Sequence, residues 1–339
     1  MYTEEIILNL PKIEQHVHIV GSTRPETLLE ILQEGDVQTD LQTLQDIYKF
    51  YQYTDFDHFL SVYRKVSDSI TEEKFYQTIT YQMLQRNAEC NVKHVEAIWS
   101  PKDHLRNGLD YDKMLDYINR GIRQAKQKHD ITCTIRIDLV RNYGPETANQ
   151  TLDLIQRNHQ NVKAIDIGGS EKPNPPEPYK QVYRRAKELG LHLCAHAGEA
   201  AGSEYIWEAI NALDVERIGH GTSAVDDPRL LKVIAERGIG IEACPVSNLR
   251  TGVIKSLREH PIRSFINHGI KVSVNSDDPP MFNTDMNNEY VSLHRELGFT
   301  PQELFNISLN SIQTSYLSSN EKQNLTQSFH KEYEILTQK

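Results

Sequence analysis

Eight short apolar runs, each separated from the next by a helical pattern, constrain the fold of this chain more than any other feature. The runs are KIEQHVHIV (12–20), VKHVEAIWS (92–100), TCTIRIDLV (132–140), VKAIDIGG (162–169), LHLCAHAG (191–198), ERIGHGTS (216–223), IGIEACPVS (239–247) and IKVSVNSD (270–277). Buried strands that alternate with amphipathic helices are typical of a parallel sheet with crossover helices. Eight such units predict an α/β fold of the (β/α)8 TIM-barrel type.

The segments between these runs refine the prediction. The helical patterns at 227–238 and 260–269 each end on a glycine, which favours a left-handed helix C-cap. The gap at 21–91 is too long for an ordinary loop and contains several helical patterns. We therefore predict a single barrel domain over residues 1–339, with a helical lid insertion after the first strand at 21–91 and a C-terminal helical cap at 300–339.

Charge and cysteine usage exclude several classes of partner. The chain has 37 Lys+Arg against 47 Asp+Glu, a net charge of -10, so it lacks a global basic field for nucleic acid or an anionic membrane. Its four cysteines are scattered and form no CxxC pair, which indicates a reducing compartment. No signal-peptide pattern and no run of about 18 apolar residues is present. These features predict a cytoplasmic protein with a small-molecule partner.

Histidines follow the first predicted strand. Barrel enzymes place their active sites at the carboxyl ends of the strands, and this strand ends His16-Val17-His18. Alternate residues of a strand share a face, so both imidazoles can point into the barrel and bind one metal ion. Taken alone, an HxH pattern is a weak signal that more often marks surface histidines or hydrogen-bonded core histidines than a metal site.

Further histidines and carboxylates mark three other strand ends, namely His196 with Glu199, then His220, then Asp277 with Asp278. Singly, each has an ordinary role as a helix cap, an ion-pair partner or a core histidine. Together they crowd like charges at one rim in a way that folding alone would not favour. A divalent cation resolves that conflict, and imidazoles with one carboxylate are typical ligands of a catalytic zinc or a similar first-row metal.

Five motifs in this order, HVHIVGS, HAGE, RIGHG, CPVSN and NSDDP, resemble those of the adenosine deaminase family of metal-dependent amidohydrolases. The resemblance runs from about residue 11 to 317 and includes PETLLEIL and LNSIQTSYLS. It implies one Zn²⁺ per chain, held by His16, His18, His196 and Asp277. It also implies that Glu199 is the proton shuttle, that His220 and Asp277 orient and activate the attacking water, and that His18, Gly169 and Asp278 contact the purine.

The chemistry of the reaction is consistent with these implied roles. Attack on C6 of a purine at neutral pH needs hydroxide, and a bound zinc ion lowers the pKa of water from 15.7 to about 7. Ring N1 must also gain a proton, and Glu199 lies three residues beyond His196 at the same strand end. We therefore predict hydrolytic deamination of adenosine, or of a related adenine nucleoside, to the inosine-type product and ammonia.

Two positions depart from the family pattern. Val20 stands where the first motif usually has an acidic residue that meets the ribose 5'-hydroxyl, and Ser170 stands where an aspartate is common. Neither change affects the metal or the proton machinery, but valine accepts no hydrogen bond. An apolar side chain there favours either adenosine held by other groups or a nucleoside with an apolar 5' substituent.

Two alternative functions remain compatible with the sequence. The chain could be a barrel amidohydrolase for another aminated ring such as free adenine, since many chemistries share this type of metal site. It could also be a catalytically silent purine-binding homologue, although every expected ligand and the proton shuttle are present.

Other residues of the motifs have more ordinary interpretations. Ser247 and Asn248 fit turn-stabilising side chains better than substrate contacts, and Cys244 fits a small buried apolar residue. The helical spacing of four residues fits either core or pocket, namely Phe56, Phe59, Leu60 and Tyr63.

Overall fold

The structure, a computed structural model, describes residues 3–35 and 37–338. Eight parallel strands pair in sequence order and confirm the predicted (β/α)8 barrel. They are β1 (Lys12–His18), β2 (Val92–Trp99), β3 (Thr132–Asp138), β4 (Val162–Asp166), β5 (His192–Ala197), β6 (Arg217–His220), β7 (Gly240–Ala243) and β8 (Val272–Val274). Each strand lies within its predicted run. Residues 1, 2, 36 and 339 of the predicted domain lie outside the described residues.

Helices surround the sheet and connect its strands. They are α1 (Thr3–Asn9), α2 (Pro25–Glu34), α3 (Leu44–Phe50), α4 (Phe56–Ser69), α5 (Phe75–Glu89), α6 (Pro101–Leu105), α7 (Tyr111–His129), α8 (Gly144–Arg157), α9 (Lys180–Glu188), α10 (Ser203–Ala212), α11 (Pro228–Arg237), α12 (Pro245–Arg250), α13 (Ile262–Asn267), α14 (Pro279–Phe282), α15 (Met286–Leu297), α16 (Pro301–Thr314) and α17 (Ser319–Thr337). Gly238 caps α11 with φ +67°, as its position predicted. In the described part of the chain, no helix combines the length and the apolar character needed to span a bilayer.

The barrel closes where the end of β1 meets the segment after β8. The backbone N–H of His18 donates to the Asp277 carbonyl at 2.9 Å, and the Asp277 N–H donates to the His16 carbonyl at 3.0 Å. The Asn275 side chain extends the seam by accepting from the Gln15 N–H at 2.7 Å. The contact that closes the sheet thus places Asp277 directly beside both histidines of β1.

Four helices, α2 to α5, fill the long segment between β1 and β2. The Asp55 side chain caps α4 by accepting the His58 N–H at 2.9 Å, and one face of this helix buries Phe59, Val62 and Val66. A carboxylate at the N-terminus and an apolar stripe are what this sequence needs to form a helix packed on the barrel.

The last two helices follow the final strand. Gln15 in β1 donates to the Ser311 carbonyl of α16 at 3.0 Å, and Arg217 at the start of β6 donates to the Thr314 carbonyl at 2.9 Å. These bonds tie α16 to the barrel through buried polar groups. The opposite, carboxyl ends of the strands are left to the helical insertion and the loops.

Candidate active site

Three imidazoles meet at the carboxyl ends of β1 and β5. The ring of His16 lies 5.5 Å from that of His18 and 4.5 Å from that of His196, centroid to centroid. One ring nitrogen of each histidine lies within 4.8 Å of those of the other two. This spacing allows the three side chains to share a single cation.

Asp277 adds a carboxylate to the histidine cluster. Its Oδ1 lies 3.5 Å from His16 Nε2 and 3.3 Å from His18 Nε2. The Ser247 hydroxyl donates to the other oxygen, Oδ2, at 2.7 Å and fixes the carboxylate. The structure thus brings together the four side chains that the resemblance implies as metal ligands.

The electrostatics of this cluster fit a cation. Among the described residues, the buried atoms His16 Nε2 and His18 Nδ1 have no hydrogen-bond partner. Burial opposes protonation of His16, but Asp277 and Glu242 outweigh it and raise the pKa of this imidazole to about 9. A buried position that attracts positive charge, lined by imidazole and carboxylate, could hold zinc or a similar first-row metal.

Two buried carboxylates orient the histidines from behind. Glu242 Oε2 lies 2.7 Å from His16 Nδ1, and Asp166 Oδ1 lies 3.0 Å from His196 Nδ1. Arg136 forms an ion pair with each of them, with Nη1 2.6 Å from Glu242 and Nε 3.2 Å from Asp166. Such partners fix the tautomer of a metal-binding histidine and raise its basicity. The sequence reasoning missed them, although an acidic residue inside an apolar strand run is a usable signal.

Glu199 lies in the loop after β5, with its side chain 8% exposed and its Oε2 3.6 Å from His220 Nε2. Burial raises its pKa well above the ordinary value, and the neighbouring charges of Asp277 and Glu171 add to the effect. The protonated form of this carboxyl group is therefore favoured relative to that of an exposed glutamate. A protonated carboxyl beside the histidine cluster can deliver a proton to a bound ring.

His220 ends β6 opposite Asp277, and its Nε2 lies 3.9 Å from Asp277 Oδ2. Burial lowers its pKa well below the ordinary value, so this imidazole is neutral and can hydrogen-bond a water molecule. Both residues have left-handed backbone angles, φ +60° for His220 and +65° for Asp277. Such conformations are costly for residues other than glycine, and they are concentrated at functional sites.

The turn that follows β7 supports these side chains. Ser247 holds Asp277, and the Asn248 amide lies 3.2 Å from His220 Nδ1. Cys244 Sγ approaches the histidine and aspartate cluster, but burial raises the pKa of its thiol well above the ordinary value. A protonated thiol is a poor metal ligand, which agrees with the predicted role as a small buried side chain.

Asp278 and Gly169 line a cavity of about 290 Å³ that also contains His18, His196, Glu199 and Asp277. Burial, followed by the charge of Asp277, raises the pKa of Asp278 well above its usual range, so this carboxyl can donate a hydrogen bond. Its side chain packs against Gly21, where any Cβ would overlap the carboxylate. Gly169 has φ +88°, a conformation that favours glycine.

The wall of the cavity comes from α4 in the helical insertion. Five of its residues line the cavity, four of them apolar or aromatic, and Phe59 also packs on Phe282 with ring centroids 4.8 Å apart. The four residues with the predicted helical spacing therefore pack on the core and also line the cavity. They are Phe56, Phe59, Leu60 and Tyr63. Ser170 also lines the cavity.

Val20 is placed differently from the expectation that it forms an apolar wall beside the 5' carbon. It is 2% exposed and belongs to the short 3-10 turn Val20–Ser22, and it is not among the residues that line the cavity. The turn directs this side chain into the core, because its carbonyl is held by the Thr23 N–H at 3.0 Å and by the Thr23 hydroxyl at 2.7 Å.

Polar side chains that the sequence reasoning missed surround the mouth of the cavity. Arg64, Arg106 and Asn142 line it and are exposed. Arg106 donates to the Tyr143 hydroxyl at 2.7 Å, and that hydroxyl donates to Asp103 at 2.7 Å. Helix α4, α6 with its C-terminal cap and the β3 loop contribute these groups, so only the folded chain brings them together.

Comparison with known proteins gives consistent matches along the chain. A family model described as adenosine deaminase matches residues 11–332. An aminodeoxyfutalosine deaminase from Streptomyces coelicolor is 36% identical over 92% of this chain and 82% of its own length. An adenine deaminase from Acinetobacter baylyi is 32% identical over 96% of this chain and 98% of its own length. The crystal structure of an amidohydrolase with bound Zn from Burkholderia ambifaria has a TM-score of 0.90 at 27% identity, covering 99% of this chain and 93% of that one.

Proposed function

Because this chain belongs to the adenosine deaminase family and is a metal-dependent hydrolytic deaminase of adenine-type substrates, we propose that its substrate is an adenine nucleoside. The reaction replaces the 6-amino group with oxygen and releases ammonia. The observation that carries the proposal is that Glu199 lines one cavity with three histidines and Asp277, in a buried position that raises its pKa well above the ordinary value.

The proposed metal is one zinc ion per chain, with His16, His18, His196 and Asp277 as its ligands. When bound, zinc supplies hydroxide at neutral pH by lowering the pKa of water from 15.7 to about 7. The bound Zn of the similar Burkholderia amidohydrolase supports this choice of metal.

The remaining roles belong to side chains of the cavity. Glu199 gives its proton to ring N1, so that the adduct formed at C6 carries no negative charge in the ring. Neutral His220 orients the attacking water, and the Asp277 carboxylate faces the same position. Protonated Asp278 donates to a ring nitrogen, and the backbone at Gly169 passes beside the purine. His220 accepts a proton from the attacking water and passes it to the 6-amino group, so that the C6–N bond breaks and ammonia leaves. N1 keeps the proton from Glu199, and the proton of the new C6 hydroxyl returns to Glu199 as the carbonyl forms.

A nucleoside uses more of this cavity than a free base does. The exposed groups at the mouth, Arg64, Arg106 and Asn142, are hydrogen-bond donors that an unsubstituted adenine leaves unused. No carboxylate stands at position 20, and Val20 is buried outside the lining. Position 20 therefore offers no hydrogen-bonding group to the 5'-hydroxyl, so it does not reject analogues that lack this hydroxyl.

The test is a panel of ammonia-release assays on adenine, adenosine, 5'-deoxyadenosine, 5'-methylthioadenosine, S-adenosylhomocysteine and AMP. We expect the nucleosides to exceed adenine in kcat/KM, and 5'-deoxyadenosine and 5'-methylthioadenosine to lie within about tenfold of adenosine, since loss of an unread hydroxyl costs under about 1.4 kcal/mol. Absence of turnover on every member of the panel by the zinc-loaded protein would contradict the proposal.

Free adenine is the second candidate, because relatives such as the Acinetobacter protein are adenine deaminases. The same panel decides between the two: adenine exceeding every nucleoside by tenfold or more would establish it as the substrate. The Arg64→Gln variant sharpens the answer, with Lys65→Gln, an exposed neighbour on α4 paired with Asp40, as its control. A nucleoside that reaches the mouth loses kcat/KM in the first variant only, whereas adenine is unaffected by both.

A further inference from the structure

Glu171, in the loop after β4, makes an unusual set of contacts. Its side chain is buried, with the residue 2% exposed. Oε1 accepts the backbone N–H of Gly198 at 2.6 Å, and Oε2 accepts those of Ala200 and Ala201 at 2.6 and 2.7 Å. One carboxylate therefore holds three backbone donors of a single loop on the neighbouring strand.

The three donors surround Glu199, whose side chain faces the cavity. Gly198, on one side, has φ +73°, and a Cβ there would overlap Ile206 and Ser223. Ala200 and Ala201, on the other side, are both bonded to the same Glu171 oxygen. The backbone on both sides of Glu199 is thus fixed, and its side chain enters the site from a clamped loop.

We propose that Glu171 is a positioning residue for Glu199: its buried carboxylate binds the three N–H groups around that residue and sets where the Glu199 carboxyl stands. This inference rests on the proposed function, because it assigns Glu171 a role in the same proton transfer. Glu171 is not among the residues that line the cavity, so it acts on the reaction through the Glu199 loop that it binds. A displacement of about 1 Å in a reacting group can cost about 10²-fold in rate, and a loosened loop would allow such a displacement.

Glu171→Gln is the informative variant. The glutamine amide has only one oxygen that can accept backbone N–H groups. Its NH₂ group replaces the other carboxylate oxygen and therefore faces a backbone N–H, which is also a donor. We expect kcat on adenosine to fall about 10- to 10²-fold, with KM changed less than about threefold and with zinc content unchanged. The matched control is Glu96→Gln, since Glu96 is also buried and accepts a backbone N–H, from Tyr316, but lies outside the cavity lining.

The decisive measurement is a double-mutant cycle of Glu171→Gln with Glu199→Gln, read as kcat on adenosine, or on adenine if the panel favours it. A residue that works through Glu199 loses its effect once Glu199 cannot donate, so the double variant should match Glu199→Gln alone. An equal further loss in the double variant, or an unchanged kcat in the single variant, would overturn the inference. Should the Gln variant fail to fold, Glu171→Asp provides the same cycle with the charge retained and moved back by one methylene. Failure of the proposed function itself is distinguishable, because the wild-type protein would then turn over neither compound.

Discussion

Burial and the charges of neighbouring groups together shift the pKa of the side chains around the candidate metal position. Burial and the facing charge of Asp277 raise the pKa of both Glu199 and Asp278, and burial lowers the pKa of His220. Burial also raises the pKa of Asp277, but His16 and the other imidazoles outweigh it and hold this pKa well below the ordinary value. The local environment therefore shifts the pKa of neighbouring carboxyl groups in opposite directions, so that one cavity contains both proton donors and a metal-binding carboxylate.

The Glu199→Gln variant tests the proton shuttle. The amide keeps the shape but has no acidic proton, so kcat should fall at least about 10²-fold, the lower range for general acid–base assistance. Zinc content and KM should stay near the wild-type values. Steady-state kinetics with metal analysis gives the answer, and turnover near the wild-type rate would make Glu199 a structural carboxylate.

The Asp166→Asn variant tests whether the carboxylate that contacts His196 strengthens zinc binding. The amide oxygen can still accept the His196 N–H, but the negative charge beside His196 Nδ1 is lost. Outer partners of this kind typically change metal affinity by 10- to 100-fold, so zinc affinity should weaken by a similar factor. Competition with a chromophoric chelator measures it. Unchanged affinity in a folded variant would show that Asp166 only pairs with Arg136.

The sequence predicted the site residues at the strand ends better than the buried carboxylates that hold these residues in place. His16, His18, His196 and Asp277 come together as expected, because strand ends of a barrel meet at one rim. Glu242, Asp166 and Glu171 were missed, because their partners lie on other strands and loops. A one-dimensional pattern gives the end of a strand but not the neighbour that its side chain will meet.

At the scale of elements, the helical insertion shapes the cavity. Helix α4 presents Leu60 to the cavity half-buried, so this side chain can contact a bound substrate. Leu60→Ala removes three carbons, and at partial burial the loss is about 1 kcal/mol, or about fivefold in KM with kcat little changed. Ser61→Ala, one residue along and exposed, is the control. A fivefold loss in kcat with constant KM would contradict this role of α4.

Strands and insertion differ in how far the sequence could predict them. Each strand falls within its run, since buried parallel strands are continuous apolar segments. The insertion was predicted as helical, but whether Phe59 packs in the core or faces the pocket remained open, and it does both. The sequence could not predict the direction of the Val20 side chain, because the three-residue turn Val20–Ser22 determines it.

At the scale of the whole molecule, buried acids connect stability to pH. Burial raises the pKa of Glu289 in α15 to about 8. The folded state therefore binds this proton more tightly than the unfolded chain does, and the contribution is complete below the ordinary value of about 4.5 and lost as pH rises through 8. Glu289→Gln mimics the protonated form and keeps the bond with Thr284.

Thermal unfolding at pH 6 and pH 9, with zinc saturating, checks this prediction. The Tm of the wild type should decrease from pH 6 to pH 9, and the Tm of Glu289→Gln should decrease less over the same range. Glu236→Gln, an exposed position on α11, should behave like the wild type. An identical decrease in all three proteins would place the pH dependence elsewhere.

We propose that deamination by this chain depends on one metal ion held by His16, His18, His196 and Asp277. The most direct measurement titrates metal-free protein with Zn²⁺ while following bound zinc and ammonia release from adenosine, with free adenine as a parallel substrate. We expect the rate of ammonia release to rise linearly up to one zinc per chain and then to stay constant, and we expect His196→Ala to bind no stoichiometric zinc and to stay inactive. Full activity of the metal-free protein, or stoichiometric zinc in His196→Ala, would contradict it.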